Sequence, residues 1–265
     1  MSQTVARSAA GAPRLLNQIV CPNCWERYPT DEVLWVAEHA ELRGDDKLGP
    51  EAPRRFLPSR FTPEGDAIDP MGRACHQLAC ARCHLTIPRT ATELEPMFVS
   101  VLGTPGSGKS YFLTSAIWRL REVLPTQFAV AFADAEPAIN QSLVDAEERL
   151  FLSAEPDELV GLGSLIDKTE AAGADQRLYN GVSYGSHAVT YLRPFTFTLN
   201  PLPRHPSGGT APGRMLCLYD NAGEHFLPGQ DTAAMPVARH VALSRALLVL
   251  YDPTQDLRFR DACAR

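Results

Sequence analysis

Eight consecutive residues, Gly103-Thr104-Pro105-Gly106-Ser107-Gly108-Lys109-Ser110, have the types and spacing needed to hold a phosphate. The fixed positions are Gly103, Gly108, Lys109 and Ser110, in the pattern Gly-x-x-x-x-Gly-Lys-Ser. Gly106 and Gly108 let the backbone curl round an anion and present successive N–H groups to it. A helix starting there adds the positive end of its dipole. In such a loop Lys109 neutralises the β- and γ-phosphates and the Ser110 hydroxyl ligates Mg²⁺. Thr104, Pro105, Ser107 and Tyr111 complete the expected nucleotide-contacting segment. The competing reading is a glycine-rich turn that happens to precede a lysine. The four fixed positions arise by chance in a chain this long roughly once in a hundred.

A second group of residues extends the chemistry. Leu216-Cys-Leu-Tyr-Asp220-Asn-Ala-Gly223-Glu224 reads as an apolar strand ending in Asp-x-x-Gly. An aspartate at the carboxyl end of a buried strand lies beside a phosphate loop in open α/β sheets, where it can hold Mg²⁺ directly or through water. The Gly223 N–H can then sense a γ-phosphate. Alone, Asp-x-x-Gly is more often a turn; joined to the first motif it describes a site for a nucleotide with Mg²⁺.

The third group is thiol chemistry. Cys21-Pro-Asn-Cys24 and Cys80-Ala-Arg-Cys83 are two Cys-x-x-Cys pairs, and four thiolates can close a tetrahedral structural Zn²⁺ site. More than fifty residues separate the pairs, longer than usual ribbon spacing, and a Pro-rich insertion accounts for that. Cys75, His76 and His84 lie close enough in sequence to compete as ligands. A redox dithiol is the rival, but no βαβ context surrounds either pair. Cys217, inside an apolar run, is expected in the core, and Cys263 is uninformative. Trp25, Tyr28, Trp35 and Phe56 can dock a partner, but such aromatics more often build the core a small zinc module otherwise lacks.

Elements must position these groups. Met97-Phe-Val-Ser-Val-Leu102 is an apolar run feeding the glycine loop, and Tyr111 to Leu124 is a helix that Pro125 stops. Phe128 to Phe132 reads as a strand and Ile139 to Leu152 as a helix. Three further strands are expected over His187–Leu199, Arg214–Tyr219 and Ala246–Tyr251; the last two are nearly continuous apolar runs, as in strands buried on both faces of a parallel sheet. Arg43-Gly-Asp-Asp-Lys-Leu-Gly-Pro-Glu-Ala-Pro53 reads as loop or insertion. No internal repeat is evident. The fold class expected is α/β, a P-loop NTPase with a mostly parallel sheet flanked by helices, preceded by a small zinc-ribbon-like module. The division is 1–95 for that module with its Pro/Gly-rich insertion, and 96–265 for a GTPase-like domain that is C-terminally incomplete.

Gly103 to Ser110, Asp220 to Glu224 and Leu247-Leu-Val-Leu-Tyr-Asp-Pro-Thr254 together resemble the first, third and following elements of a translation-factor-class (TRAFAC) GTPase domain. The nearest resemblance is to bacterial double-GTPase families of suspected defence or conflict systems, some of which carry a zinc ribbon in front. It covers roughly residues 97 to 254. The resemblance implies a GTP-hydrolysing switch in a multi-protein assembly. It also implies a threonine completing the Mg²⁺ shell, for which Thr169 is favoured over Thr190 and Thr196, which fall inside a strand. Glu224 or His225 would orient the attacking water. The chain departs from the pattern in two ways. Lys109 and Asp220 are well over a hundred positions apart, which requires a long insertion, and no Asn-Lys-x-Asp guanine-reading motif occurs. ATP hydrolysis on the same scaffold, or a nucleotide-binding scaffold without turnover, are therefore the alternatives.

Composition sets outer limits. The 265 residues are 45% hydrophobic, enough for a sizeable core, and the net charge of −6 gives no general basic surface for nucleic acid or anionic lipid. No apolar run approaches the roughly eighteen residues of a membrane span, and the N-terminus lacks a secretory signal, so a cytoplasmic protein is expected. Seven cysteines, two pairs of them in metal-binding spacing, fit a reducing compartment.

Overall fold

The structure, a computed structural model, describes residues 15–152, 179–221, 232 and 236–253. It is mixed α/β. The N-terminal third is built from short antiparallel pairs. Strands β1 (Gln18–Val20) and β2 (Arg27–Pro29) form one hairpin. Strands β3 (Leu34–Val36), β6 (Arg55–Phe56), β9 (Leu78–Ala79) and β10 (Thr86–Ile87) form a four-stranded sheet in the order β10-β9-β3-β6. Between them sit the hairpins β4 (Arg43–Asp45) with β5 (Gly49–Pro53), and β7 (Ala67–Ile68) with β8 (Ala74–Cys75).

The segment 43–53, expected to be irregular, is thus a hairpin. Its turn is fixed by Asp45, whose Oδ1 accepts N–H bonds from Lys47 and Leu48, and by left-handed Gly44 and Gly49. The carboxylate closes the turn in place of a backbone group, so proline and glycine flank the pairing without preventing it.

The C-terminal part centres on a five-stranded sheet. It is built from β11 (Glu95–Gly103), β12 (Val130–Asp134), β15 (Phe195–Pro201), β16 (Arg214–Asp220) and β17 (Ala246–Leu250), in the order β12-β15-β16-β11-β17. Strand β11 is parallel to both its neighbours, β16 and β17, while β15 runs antiparallel to both β12 and β16. The expected mostly parallel sheet is therefore corrected to a mixed one. The short link over 202–213 turns twice, with Leu202 O accepting from His205 and His205 O from Gly208, so it returns the chain beside itself. A parallel return would need a crossover of a dozen or more residues, usually a helix.

The expected single strand over 187–199 is two strands, β14 (His187–Leu192), paired with β13 (Tyr179–Tyr184), and β15. Arg193-Pro194 separates them, since proline supplies no N–H to a ladder. Strand β16 is buried beyond its first residue, as expected, but β17 is not: Val249 is 72% exposed. Among the described residues β17 pairs only with β11, so its apolar run marks an edge strand.

Helix α1 (Lys109–Gln127) starts at the glycine loop and continues one turn past the expected stop. Pro125 removes the amide that would bond Arg121 O, but only the last turn lies beyond it, and Leu124 O still accepts from Phe128 before left-handed Ala129 ends the turn. It buries Leu113 and Ile117, four apart, against the sheet. Helix α2 (Pro137–Phe151) packs beside it through stacked Trp118 and Phe151, and Arg121 of α1 bridges Asp134 and Glu147. A short α3 (Val237–Leu243) precedes β17. No helix among the described residues is long and apolar enough to cross a membrane. The buried core is continuous from Ile19, Trp25 and Tyr28 of the N-terminal part to Phe98, Val101, Phe197 and Tyr219 of the sheet.

Asn140 locks α2 to the sheet. It is fully buried, donates to Asp134 Oδ1 at 2.7 Å and Thr196 O at 2.8 Å, and accepts the Thr196 N–H at 3.0 Å. Asn140→Ala strands these buried groups and is expected to cost roughly 2–3 kcal/mol. Urea unfolding should show a lower midpoint at unchanged slope; a loss under about 0.5 kcal/mol, as for a surface site, contradicts the assignment.

Candidate functional site

The glycine loop is built on the end of β11. Gly106 and Gly108 take φ of 77° and 82°, left-handed values that a side chain would strain, and Gly108 is the residue from which α1 departs. Gly103 is tight for another reason. A Cβ there would lie 2.6 Å from both Leu250 O and Ser107 Oγ, so only glycine lets the loop close against β17. Lys109 is 7% exposed, and its Nζ donates to Gly103 O and Thr104 O at 3.0 Å each, drawing the ammonium across the mouth of the loop. Ser107 Oγ and Tyr111 OH are buried without hydrogen-bond partners among the described residues. The orphaned Ser107 hydroxyl, one residue before the helix N-cap Gly108, suits a polar anion.

The second motif arrives where the first needs it. Ser110, in the first turn of α1, donates its hydroxyl to Asp220 Oδ2 at 2.9 Å, and Asp220 is 4% exposed at the end of β16. The register Val101↔Asp220 places that carboxylate beside the final residues of the strand that feeds the loop. A hydroxyl and a carboxylate in contact, at a helix N-terminus, form a donor set suited to a hard divalent cation. Thr169, Gly223, Glu224 and His225 lie outside the described residues. Thr190 lies in β14. Thr196 lies in β15, where its backbone is held by Asn140.

The four cysteines Cys21, Cys24, Cys80 and Cys83 come together as one buried cluster with all four sulfurs within 4.8 Å of one another. Cys21 and Cys83 sulfurs are 3.8 Å apart, as are those of Cys24 and Cys80. A tetrahedron with metal–sulfur bonds of ~2.3 Å has edges of about 3.8 Å, so these residues can hold a metal such as zinc. Cys75, His76 and His84 are excluded from the cluster. Cys75 bonds Arg73 O, while His76 pairs with Asp66 and His84 with Asp45.

The two pairs are structural copies, a repeat not read from the sequence. Cys21 Sγ accepts the Asn23 N–H at 3.3 Å and Cys80 Sγ the Arg82 N–H at 3.2 Å. Cys21 O accepts from Trp25 and Cys80 O from His84, both at 3.0 Å. Trp25 and His84 are left-handed, with φ of 62° and 61°. Each turn thus presents its first sulfur to N–H donors and throws the residue after its second cysteine outward. The shared signal is Pro29 and Pro88, each eight positions after its first cysteine.

The two outward residues reach different neighbours. His84 Nδ1 lies 2.9 Å from Asp45 Oδ2; burial alone would raise that carboxyl, but the His84 hydrogen bond and the Lys47 and Leu48 amides hold it below the usual carboxylate range. Trp25 reaches the central sheet, where its Nε1–H donates to Tyr219 OH at 2.9 Å and Tyr219 OH donates to Pro22 O at 2.6 Å. Burial pushes the Tyr219 hydroxyl well up, so it stays protonated and can serve both bonds. Tyr219 stacks on His240 of α3, with ring centroids 4.5 Å apart. His240 Nε2 lies 2.9 Å from Asn221 Oδ1 and its Nδ1 2.8 Å from Ser100 Oγ. None of these links is visible in sequence spacing.

The chain matches no protein-family model, and no curated protein or solved structure is significantly similar to it.

Burial pushes the Cys21 and Cys83 thiols well up. Metal ligation needs thiolates, so binding releases protons and low pH favours the metal-free protein. Zinc affinity measured against a competing chromophoric chelator is expected to rise more than tenfold per pH unit between about pH 6 and 8. A slope below one proton contradicts a thiolate site.

Proposed function

We propose that this chain is a Mg²⁺-dependent nucleotide-binding protein that hydrolyses GTP as a switch within a multi-protein system, with a zinc-stabilised N-terminal module. The observation that carries the reading is the Ser110–Asp220 hydrogen bond at 2.9 Å. Two motifs separated by most of the C-terminal half meet where a cation bridging protein and phosphates would need its ligands. Further support comes from the sheet order. The three segments that carry the GTPase resemblance begin at the end of β11, at the end of β16 and within β17, which are adjacent parallel strands. On this reading the fold is that of a P-loop NTPase.

Each residue has a separate task. Gly106 and Gly108 shape the loop so that its amides face the phosphates, and Gly103 keeps it against β17. Lys109, whose Nζ donates to Gly103 O and Thr104 O, would turn to phosphate oxygens and neutralise their charge. Ser110 and Asp220 would hold the cation, which would supply positive charge beside the phosphates. Thr169, Gly223, Glu224 and His225 are assigned to γ-phosphate sensing and water positioning from the resemblance alone. Guanine is preferred on that ground alone, since no Asn-Lys-x-Asp motif occurs in the sequence.

Titration with labelled GTP and ATP in the presence of Mg²⁺ tests the reading. GTP is expected to bind tighter, and tighter ATP binding would replace the GTPase by an ATPase. Lys109→Ala removes a charge-assisted contact and should weaken binding about 100-fold. Ser110→Ala should instead abolish the Mg²⁺ dependence of affinity while leaving metal-free binding unchanged. Unchanged affinity in Lys109→Ala would sink nucleotide binding at this loop.

A further inference from the structure

The pleat of β16 sends neighbouring residues to opposite faces. Asp220 meets Ser110 of α1, whereas Tyr219 meets the first cysteine turn and α3. Asn221 returns to the Tyr219 side and meets His240. Tyr219 is fully buried, and both hydrogen-bond partners of its hydroxyl, Pro22 O and Trp25 Nε1, belong to the turn Cys21–Trp25. That turn is tied to the four-cysteine cluster, since the Asn23 and Cys24 amides point at Cys21 Sγ. Trp25 also packs against His240 at 5.5 Å, and Arg239 of α3 pairs with Glu26 at 2.5 Å.

We propose that the four-cysteine site and the Ser110–Asp220 site are coupled through Trp25, Tyr219 and His240, so that occupation of one tightens the other. This rests on the nucleotide reading above. With the metal bound, the first turn holds the two groups that anchor Tyr219, and Tyr219 sets the end of β16 from which Asp220 and Asn221 project. Loss of the metal releases the left-handed turn at Trp25 and leaves a buried tyrosine hydroxyl without its partners, a cost the strand end relieves by shifting. Coupling between sites is reciprocal, so nucleotide held at Asp220 must stabilise the metal by the same factor. Tyr219, Trp25 and His240 are positioning residues. Asn221 Nδ2 is buried without a hydrogen-bond partner among the described residues, which makes His240 the contact that fixes this side chain.

The test is zinc release from the full chain to a chromogenic chelator, with and without saturating Mg²⁺ and GTP, or ATP if that binds tighter. In the unaltered protein nucleotide is expected to slow release about tenfold, within the usual range of site-to-site coupling. Tyr219→Phe keeps the ring and loses both hydrogen bonds. It should still bind one zinc and nucleotide, but protection should fall below about twofold. Trp25→Phe removes one of the two bonds and should fall in between, which also serves if Tyr219→Phe fails to fold. Nucleotide that binds yet leaves zinc release unchanged overturns the coupling and spares the nucleotide reading, as does full protection in both variants. Absence of any nucleotide binding overturns both.

Discussion

The alternation of Tyr219 and Asp220 along one buried strand is the constraint on which the rest of the molecule depends. Six of the seven residues of β16 are buried, so the strand cannot slip by one residue without sending every side chain to the wrong face. Its register with β11 fixes Asp220 beside the glycine loop, and the same register fixes Tyr219 above the cysteine turn. The two candidate sites are therefore not placed independently. The helices α1 and α2 cover one side of this arrangement, and Asn140 and Arg121 prevent them from drifting relative to β12 and β15. The precision of the Ser110–Asp220 contact follows from that packing, not from the loop alone.

The N-terminal third faces a different problem. Its strands are two to five residues long, too short to build a layered core. Two devices replace that core. The four sulfurs fix two turns against each other, and Trp25, Tyr28 and Trp35 run from them into the main cluster. The hairpin β4–β5 completes the cage, with Asp45 on His84 and the Lys47 ammonium on Arg82 O. The insertion between the cysteine pairs thus supports the second turn instead of merely lengthening the chain.

What was legible in the sequence was local. Gly103 to Ser110, the two Cys-x-x-Cys turns and the apolar strand ending at Asp220 each carry their pattern within a few residues; the structure brings the four cysteines together and sets Ser110 against Asp220. The direction of strand pairing was not legible: apolar runs at 187–199 and 214–219 look alike whether paired parallel or antiparallel, and the two turns over 202–213 decided it. The exposure of β17 is not legible either, because hydrophobicity reports what a strand could bury, not whether a neighbour covers it. The hairpin at 43–53 was hidden because a side chain, Asp45, closes it. Most hidden was the path from Trp25 to Asn221, since its members are separated by nearly two hundred residues and their types are ordinary core aromatics and a histidine.

That path also explains why polar groups persist in an otherwise apolar interior. Trp25 Nε1 and Tyr219 OH form one hydrogen-bonded set and His240, Ser100 and Ser244 another, joined by the stacked Tyr219 and His240 rings, with Ser100 Oγ 2.7 Å from Ser244 Oγ and Ser244 Oγ 2.9 Å from His240 O. A purely hydrophobic replacement of similar volume would pack without risk, because each buried donor or acceptor left unmatched costs more than a matched one gains. Such a network earns its place by specifying geometry: aromatic packing alone would permit β16 and α3 to slide by fractions of an ångström, whereas directional bonds at Pro22 O and Asn221 Oδ1 do not. A site that depends on a 2.9 Å contact one residue away has a use for that restriction. The polar path and the Ser110–Asp220 contact are two consequences of the same requirement, that the end of β16 be held from both faces.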